Sequence, residues 1–169
     1  MGHRLPCGMD RSLIDLYEAG ARVPAAAIAG LSAAELDALP IPGTWSIRQI
    51  IVHLWDSDLA ATHRMRRIIA EDLPLLISYD ETACAKHLFY EQEDPARVCR
   101  LFDDNRMMTA ALLRRLPDAA FERVGVHNHR GRMSLGDFVQ IYIDHIRGHM
   151  VHLLRKRELL GRPVAISVP

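Results

Sequence analysis

The sequence predicts an all-α fold, a four-helix bundle with long connections. Three observations lead there. Four long stretches repeat apolar residues at helical spacing, these stretches open or close on recognisable cap and breaker residues, and no segment alternates apolar and polar residues convincingly over a strand's length. The first stretch runs from about residue 9 to residue 29, with Asp10 or Ser12 as its cap and Leu13, Leu16, Tyr17 and Gly20 along one side; Pro24 kinks or ends it. Ser32 with Glu35 reads as a capping box opening a short turn of helix, and Pro40, Pro42 and Gly43 mark a loop. Ser46 with Gln49 is a second capping box. It opens a helix whose apolar positions Ile47, Ile50, Ile51, Leu54 and Ile68 run to about Asp72, before Pro74 stops it. Residues 73–94 form a mixed excursion with a short helical piece around Ala83 to Tyr90, suited to a pocket rim. Asp94-Pro95 starts the third helix, carried by Val98, Leu101, Phe102, Ala111, Leu112 and Leu116 to Pro117. Residues 118–133 are a loop with room for a short hairpin. Ser134-Leu135-Gly136-Asp137 then opens a fourth helix that ends at Gly161, with Arg155, Lys156 and Arg157 near its negative end.

A chain of 169 residues fits one domain spanning 1–169, and an apolar share of 49% suffices for a full core. No run is long and apolar enough to cross a membrane. Lysine plus arginine (21) balance aspartate plus glutamate (21), so no general positive field exists to hold nucleic acid, although Arg155-Lys156-Arg157 is locally basic. Cys7, Cys84 and Cys99 are odd in number and form no CxxC pair, and the N-terminus lacks an apolar signal core, which points to a reducing cytoplasm. The cysteines are expected as small buried apolar groups rather than nucleophiles.

The fourth helix carries the chemistry. At about 100° per residue, His149 lies about 40° from His145 and His152 about 20° to its other side, so the three imidazoles share one stripe. A stable metal site needs at least a third donor beyond an HxxxH pair. His53 on the second helix is the best candidate, because Gln49, His53, Asp56, Ala60 and His63 repeat the spacing of Phe138, Tyr142, His145, His149 and His152. If those lines face each other, His53, His145 and His149 converge on a metal ion. Asp56 and His152 are then close enough to orient a ligand imidazole or to meet the substrate.

Plainer readings stand beside this one. With nine histidines in 169 residues an HxxxH pair arises often by chance, and such a bundle need bind no metal. His63, His127 and His129 are expected as solvated or loop residues, with a loop histidine near the bundle mouth able to act as acid or base. His3 and His87 carry no signal. Trp45 and Trp55 read as core or loop-anchoring aromatics, and Asp58, Arg64, Arg66 and Arg67 as a solvated helix face.

The segment Trp45-Ser46-Ile47-Arg48-Gln49-Ile50-Ile51-Val52-His53-Leu54 with Asp56-Ser57, then Gly131-Arg132-Met133-Ser134-Leu135-Gly136-Asp137, then His145, His149 and His152, resembles the DinB/YfiT-like superfamily of metal-dependent four-helix-bundle proteins. The resemblance covers nearly the whole chain, and Tyr79-Asp80-Glu81 is similar to a tyrosine-aspartate element at that place in relatives. It implies that His53, His145 and His149 occupy the positions of three metal ligands. It implies no ligand role for His152, whose position varies in the family, and no DNA contact. Pairing as a homodimer is implied by the resemblance alone.

Three neutral imidazoles leave a divalent cation its full charge and at least one open position, a catalytic rather than a closed arrangement. Bound water, its pKa lowered toward about 7, would serve hydrolysis; a bound thiol would be deprotonated and attack an electrophile. Several members of the family it resembles are S-transferases or isomerases that use a low-molecular-weight bacterial thiol. On the fourth helix no Glu or Asp stands beside the histidines except Asp144, about 100° away, so no base for hydrolysis is evident. The expected function is therefore transfer of such a thiol to a small electrophile. Hydrolysis by metal-bound hydroxide is the alternative, and a non-catalytic metal- or small-molecule-binding bundle a third. Three histidines suit zinc or nickel first, and iron or manganese also. A catalytic site is expected to face a pocket lined by Trp55, Tyr79 or Tyr142.

Overall fold

In the computed structural model, which describes residues 10–169, each long helix begins where its cap residues stand. Helix α1 (Ser12–Ala19) is the exception: its cap position is Arg11, not Asp10 or Ser12, and Asp10 Oδ1 accepts the Ser12 N–H at 2.9 Å just ahead of it. One tighter turn, Gly20–Arg22, joins it to α2 (Val23–Ile28), so Pro24 sits in the first turn of a new helix, where its missing N–H costs nothing. Ser32 and Glu35 close the expected capping box on α3 (Ala33–Asp37). Helix α4 (Ile47–Ala70) opens on the Ser46–Gln49 box, with reciprocal bonds of 3.2 and 2.9 Å. The excursion holds a short strand β1 (Leu75–Leu76) and α5 (Glu81–His87), capped by Asp80, whose Oδ1 accepts the Ala83 N–H. Asp94 caps α6 (Pro95–Arg114) as read.

Strands β2 (Val124–His127) and β3 (Gly131–Ser134) then form a hairpin that runs into α7 (Leu135–Leu159). Helix α7 ends in a Schellman motif: Gly161 at φ +69° lets Arg162 N–H reach the Arg157 carbonyl and Gly161 N–H the Glu158 carbonyl. The fold is the expected four-helix bundle, with α1 and α2 sharing one of the four places, and a three-stranded sheet at one end. In that sheet β1 lies parallel to β2, and β2 antiparallel to β3. Strands of two to four residues are too short for alternation to show in a sequence, which is why only the hairpin was anticipated. No helix among the described residues is long and apolar enough to cross a membrane.

Gly125 lets the sheet press against α4. A Cβ there would lie 2.6 Å from Leu76 Cδ1, 2.9 Å from Leu76 Cγ and 3.2 Å from Ile68 Cγ1, all in buried side chains. Gly125→Ala is expected to cost about 1–3 kcal/mol through overpacking. Urea unfolding checks this; an unchanged midpoint would show that the sheet has slack.

The core divides into two apolar clusters with a polar layer between. Ile47 to Leu54, Val98 to Phe102 and Ile146 to Leu153 build one; Ile14, Tyr17, Ala61 to Ile68, Ala110, Leu113 and Leu135 to Ile143 build the other. Between them Arg106 and Asp58, 0% and 1% exposed, form a buried ion pair at 3.0 Å. The guanidinium also donates to the Tyr17 and Tyr142 carbonyls and lies 4.5 and 4.7 Å from the Tyr17 and Phe102 ring centres. Asn105 donates to the other Asp58 oxygen at 2.6 Å, so the carboxylate is satisfied on both sides.

Several sequence expectations are corrected here. Asp58 and Arg64 are buried, not solvated; each has partners on other elements, which periodicity cannot see. The buried face of α6 centres on Arg106 with Val98, Cys99, Phe102, Ala110 and Leu113, so Leu101 and Ala111 turn outward. Lys156 and Arg157 are buried as well. Arg157 donates to the Ala27 and Ala29 carbonyls at the end of α2, and Lys156 Nζ to Thr44 Oγ1. Cys99 is buried and Cys84 partly so, while Cys7 and His3 lie outside the described residues.

Candidate metal centre

The packing of α4 against α7 brings three imidazoles together. His53, one turn past Gln49 on α4, is completely buried; His145 and His149, one turn apart on α7, are partly exposed beside it. His145 Nε2 lies 3.3 Å from His53 Nε2 and 3.1 Å from His149 Nε2, and one ligand atom from each of the three falls within 4.8 Å of the others. Trp45 packs on the His53 ring at 4.8 Å and Tyr142 on that of His145 at 5.5 Å.

The donor set fits one cation. A neutral Nε2 carries either a proton or a lone pair, so His145 Nε2 cannot satisfy both of its close neighbours by hydrogen bonding. Three converging lone pairs can instead share an ion: bonds of about 2.0–2.1 Å set tetrahedral donors about 3.3–3.4 Å apart, close to the spacings found. His53 Nδ1 is buried without a partner among the described residues, so the chain itself engages this ring only through Nε2.

Burial also keeps the three rings neutral. It pushes His53 down to about 4; His145 falls to about 3 and His149 to about 4 through burial first and the neighbouring imidazoles second. The ordinary value is 6.5, so below it the unfolded chain binds more protons than the folded one. Stability from these rings is therefore complete above pH 6.5 and declines as pH falls through that value toward 4 and 3. The urea midpoint of metal-free protein is expected to drop steadily from pH 7 to pH 4.5, about the middle of that window. A flat profile would mean that the rings are hydrated and open.

Glu81, the first residue of α5, adds a carboxylate. Its Oε2 lies 3.7 Å from His53 Nε2, and it lines, with His145, Ser57, Tyr79 and Tyr142, a cavity of about 370 Å³. Glu81 stands beside the three nitrogens rather than among them. Sequence reasoning quoted Tyr79-Asp80-Glu81 but gave Glu81 no role; the signal was the Asp80 cap, which fixes where α5 starts. Tyr79 and Tyr142 face the cavity as expected. Trp55 does not, and lines another cleft with Tyr90 and Leu101.

Asp56 and His152 do not line the cavity that holds Glu81 and His145. Asp56 follows His53 by three residues and swings about 60° off its line, where it accepts the Tyr90 hydroxyl at 2.5 Å. His152 is exposed past the cluster, in a pocket of about 220 Å³ with Trp45, Ile50, His149 and Lys156. Neither hydrogen-bonds to the three imidazoles among the described residues. The line of α4 that follows His53 toward α7 and the cavity runs through Ser57, whose Oγ donates to Tyr142 Oη at 3.4 Å, and Arg64. His63 is exposed as expected, and so is His129 in the hairpin turn, whereas His127 is buried at the end of β2.

Comparison with known proteins places these features in a family. The sequence pattern of the DinB superfamily matches residues 16–153. A protein of Oceanobacillus iheyensis named "Putative metal-dependent hydrolase" is 32% identical over 120 residues, covering 70% of this chain and 69% of its own. One of Bacillus licheniformis with the same kind of name is 29% identical over 136 residues, 80% and 77% of the two chains. The solved structure of YfiT from Bacillus subtilis, described as "a probable metal-dependent hydrolase with an unusual four-helix bundle topology", superposes with a TM-score of 0.86 at 23% identity, over 95% of this chain and 93% of that one.

Proposed function

The chain belongs to the DinB superfamily, and from that premise we propose that it is a metal-dependent hydrolase of small-molecule substrates, with His53, His145 and His149 holding a divalent cation. The observation that carries the reading is the Glu81 carboxylate 3.7 Å from His53 Nε2. The expectation of thiol transfer leaned on the lack of a carboxylate near the histidines of the fourth helix. Glu81 reaches them from the excursion instead, and supplies the base that hydrolysis needs.

His53, His145 and His149 would hold the cation, whether zinc, nickel, iron or manganese, which would supply Lewis-acid polarisation of an acyl or related oxygen and make water more acidic. The chain supplies the rest. Glu81 Oε2 accepts the proton of the attacking water and returns it to the leaving group. Burial holds Tyr79 at about 12 and raises Tyr142 as well, so both phenols stay protonated and donate to the oxygen on which charge develops.

The test is a substrate screen on the metal-reconstituted protein. Esters and amides are offered without thiol, and electrophiles with glutathione, bacillithiol or mycothiol. Cleavage without thiol, lost on chelation and restored by metal, is the expected result. Consumption of an electrophile only in the presence of thiol would overturn the hydrolase reading and restore thiol transfer.

A further inference from the structure

We propose that the cavity beside the histidine cluster recognises substrates through a carboxylate, bound by Arg64, His127 and Arg130 where α4 meets the β2–β3 turn. This rests on the hydrolase reading and names its substrate class. Four observations carry it. First, Arg64 is only 8% exposed, yet no carboxylate lies within salt-bridge distance of its guanidinium among the described residues. Its Nε and Nη2 both donate to the Ile77 carbonyl, at 3.2 and 2.6 Å, and the guanidinium otherwise meets only neutral groups of the cavity wall, the Tyr142 hydroxyl and the Tyr79 ring 5.8 Å away. A buried cation without a counter-charge is costly, and an anionic ligand removes that cost.

Second, His127, also 8% exposed, accepts the His129 N–H on Nδ1 at 3.2 Å. The proton of the neutral ring therefore sits on Nε2, a donor with no partner among the described residues. Third, Arg130 lies on the same wall and takes part in no ion pair or hydrogen bond among the described residues. The sole carboxylate lining the cavity is Glu81, so its charge is otherwise positive. Fourth, the turn is fixed before any ligand arrives: Asn128 accepts the Ser78 N–H at 2.8 Å, donates to Ser78 Oγ at 3.0 Å, and its own N–H meets the Leu76 carbonyl at 3.1 Å. Fixed donors of this kind bind an anion with little ordering cost.

With one end of the substrate held there, a bond to be cleaved lies along the cavity toward His145 and Glu81, in a space of about 370 Å³ that suits a small molecule. The experiment uses the metal-loaded full chain with 4-acetoxybenzoate and its neutral methyl ester as substrates, and 4-hydroxybenzoate and its methyl ester as binding probes. The wild type is expected to favour the anionic ester by roughly 10–100-fold in kcat/KM, as charge-assisted hydrogen bonds do. The benzoate should shift the His127 imidazole resonances while its ester does not.

Arg130→Ser and His127→Gln are expected to shrink the preference severalfold each, and 0.5 M salt to shrink it further. Arg64→Met should abolish it. Because Arg64 also holds Ile77, the two other variants keep the test sound should that one fail to fold. Equal rates on both esters, with no His127 response to benzoate, would overturn the proposal and leave the hydrolase reading standing. Benzoate binding that depends on Arg130 and His127, with neither ester cleaved, would support the anion site and overturn the hydrolase reading.

Discussion

His53→Ala is expected to remove metal from the protein, from about one ion per chain after dialysis to background, and all metal-dependent activity with it. The reason is the donor count. Without His53 only the pair His145 and His149 remains, one turn apart on α7 with Nε2 atoms 3.1 Å apart, and two imidazoles do not make a stable site. The loss should exceed the ~10–100-fold that changes to supporting residues cost. His63→Ala is the matched control, since His63 is exposed on the same helix and outside the cluster. Unaltered metal content in His53→Ala, with the helical circular dichroism intact, would remove His53 from the site.

Glu81→Gln is expected to lower kcat by about 10²–10⁴-fold while metal content stays the same, the range lost when a positioned base is neutralised. Its side chain is 61% exposed, so the amide should fold without strain. Loss of metal together with activity would instead make Glu81 a ligand. No change in kcat would return the mechanism to one that needs no carboxylate.

Much of this site was legible because helical periodicity carries it. His53, His145 and His149 fall on stripes that can be counted, and Ser46, Asp94 and Ser134 begin their helices where capping chemistry says they should. The register between helices was less legible. Asp56 and His63 were placed on the facing line, yet the residues that follow His53 toward α7 and the cavity are Ser57 and Arg64, one position further round the helix.

The remaining features lay beyond a pattern of apolar and polar residues. Asp58 and Arg106 are 48 positions apart, and Asp58 reads as solvent-facing until Arg106 is beside it. Gly20 completes that arrangement, since a Cβ there would lie 2.7 Å from Arg106 Nη1. Glu81 arrives on a seven-residue helix inside an irregular excursion, where no repeat points to its destination. The charged residues misread as a solvated face include Arg64, which lines the cavity beside the histidines.

The most direct test is anomalous diffraction from crystals of the metal-loaded protein, collected on either side of the absorption edge of the ion. A single strong peak bonded to Nε2 of His53, His145 and His149 at about 2.0–2.2 Å, with a coordination position left facing Glu81, is the predicted result. An ion bound at other residues, or a cluster whose rings stay 3.1 and 3.3 Å apart with no density between them in excess metal, would contradict it.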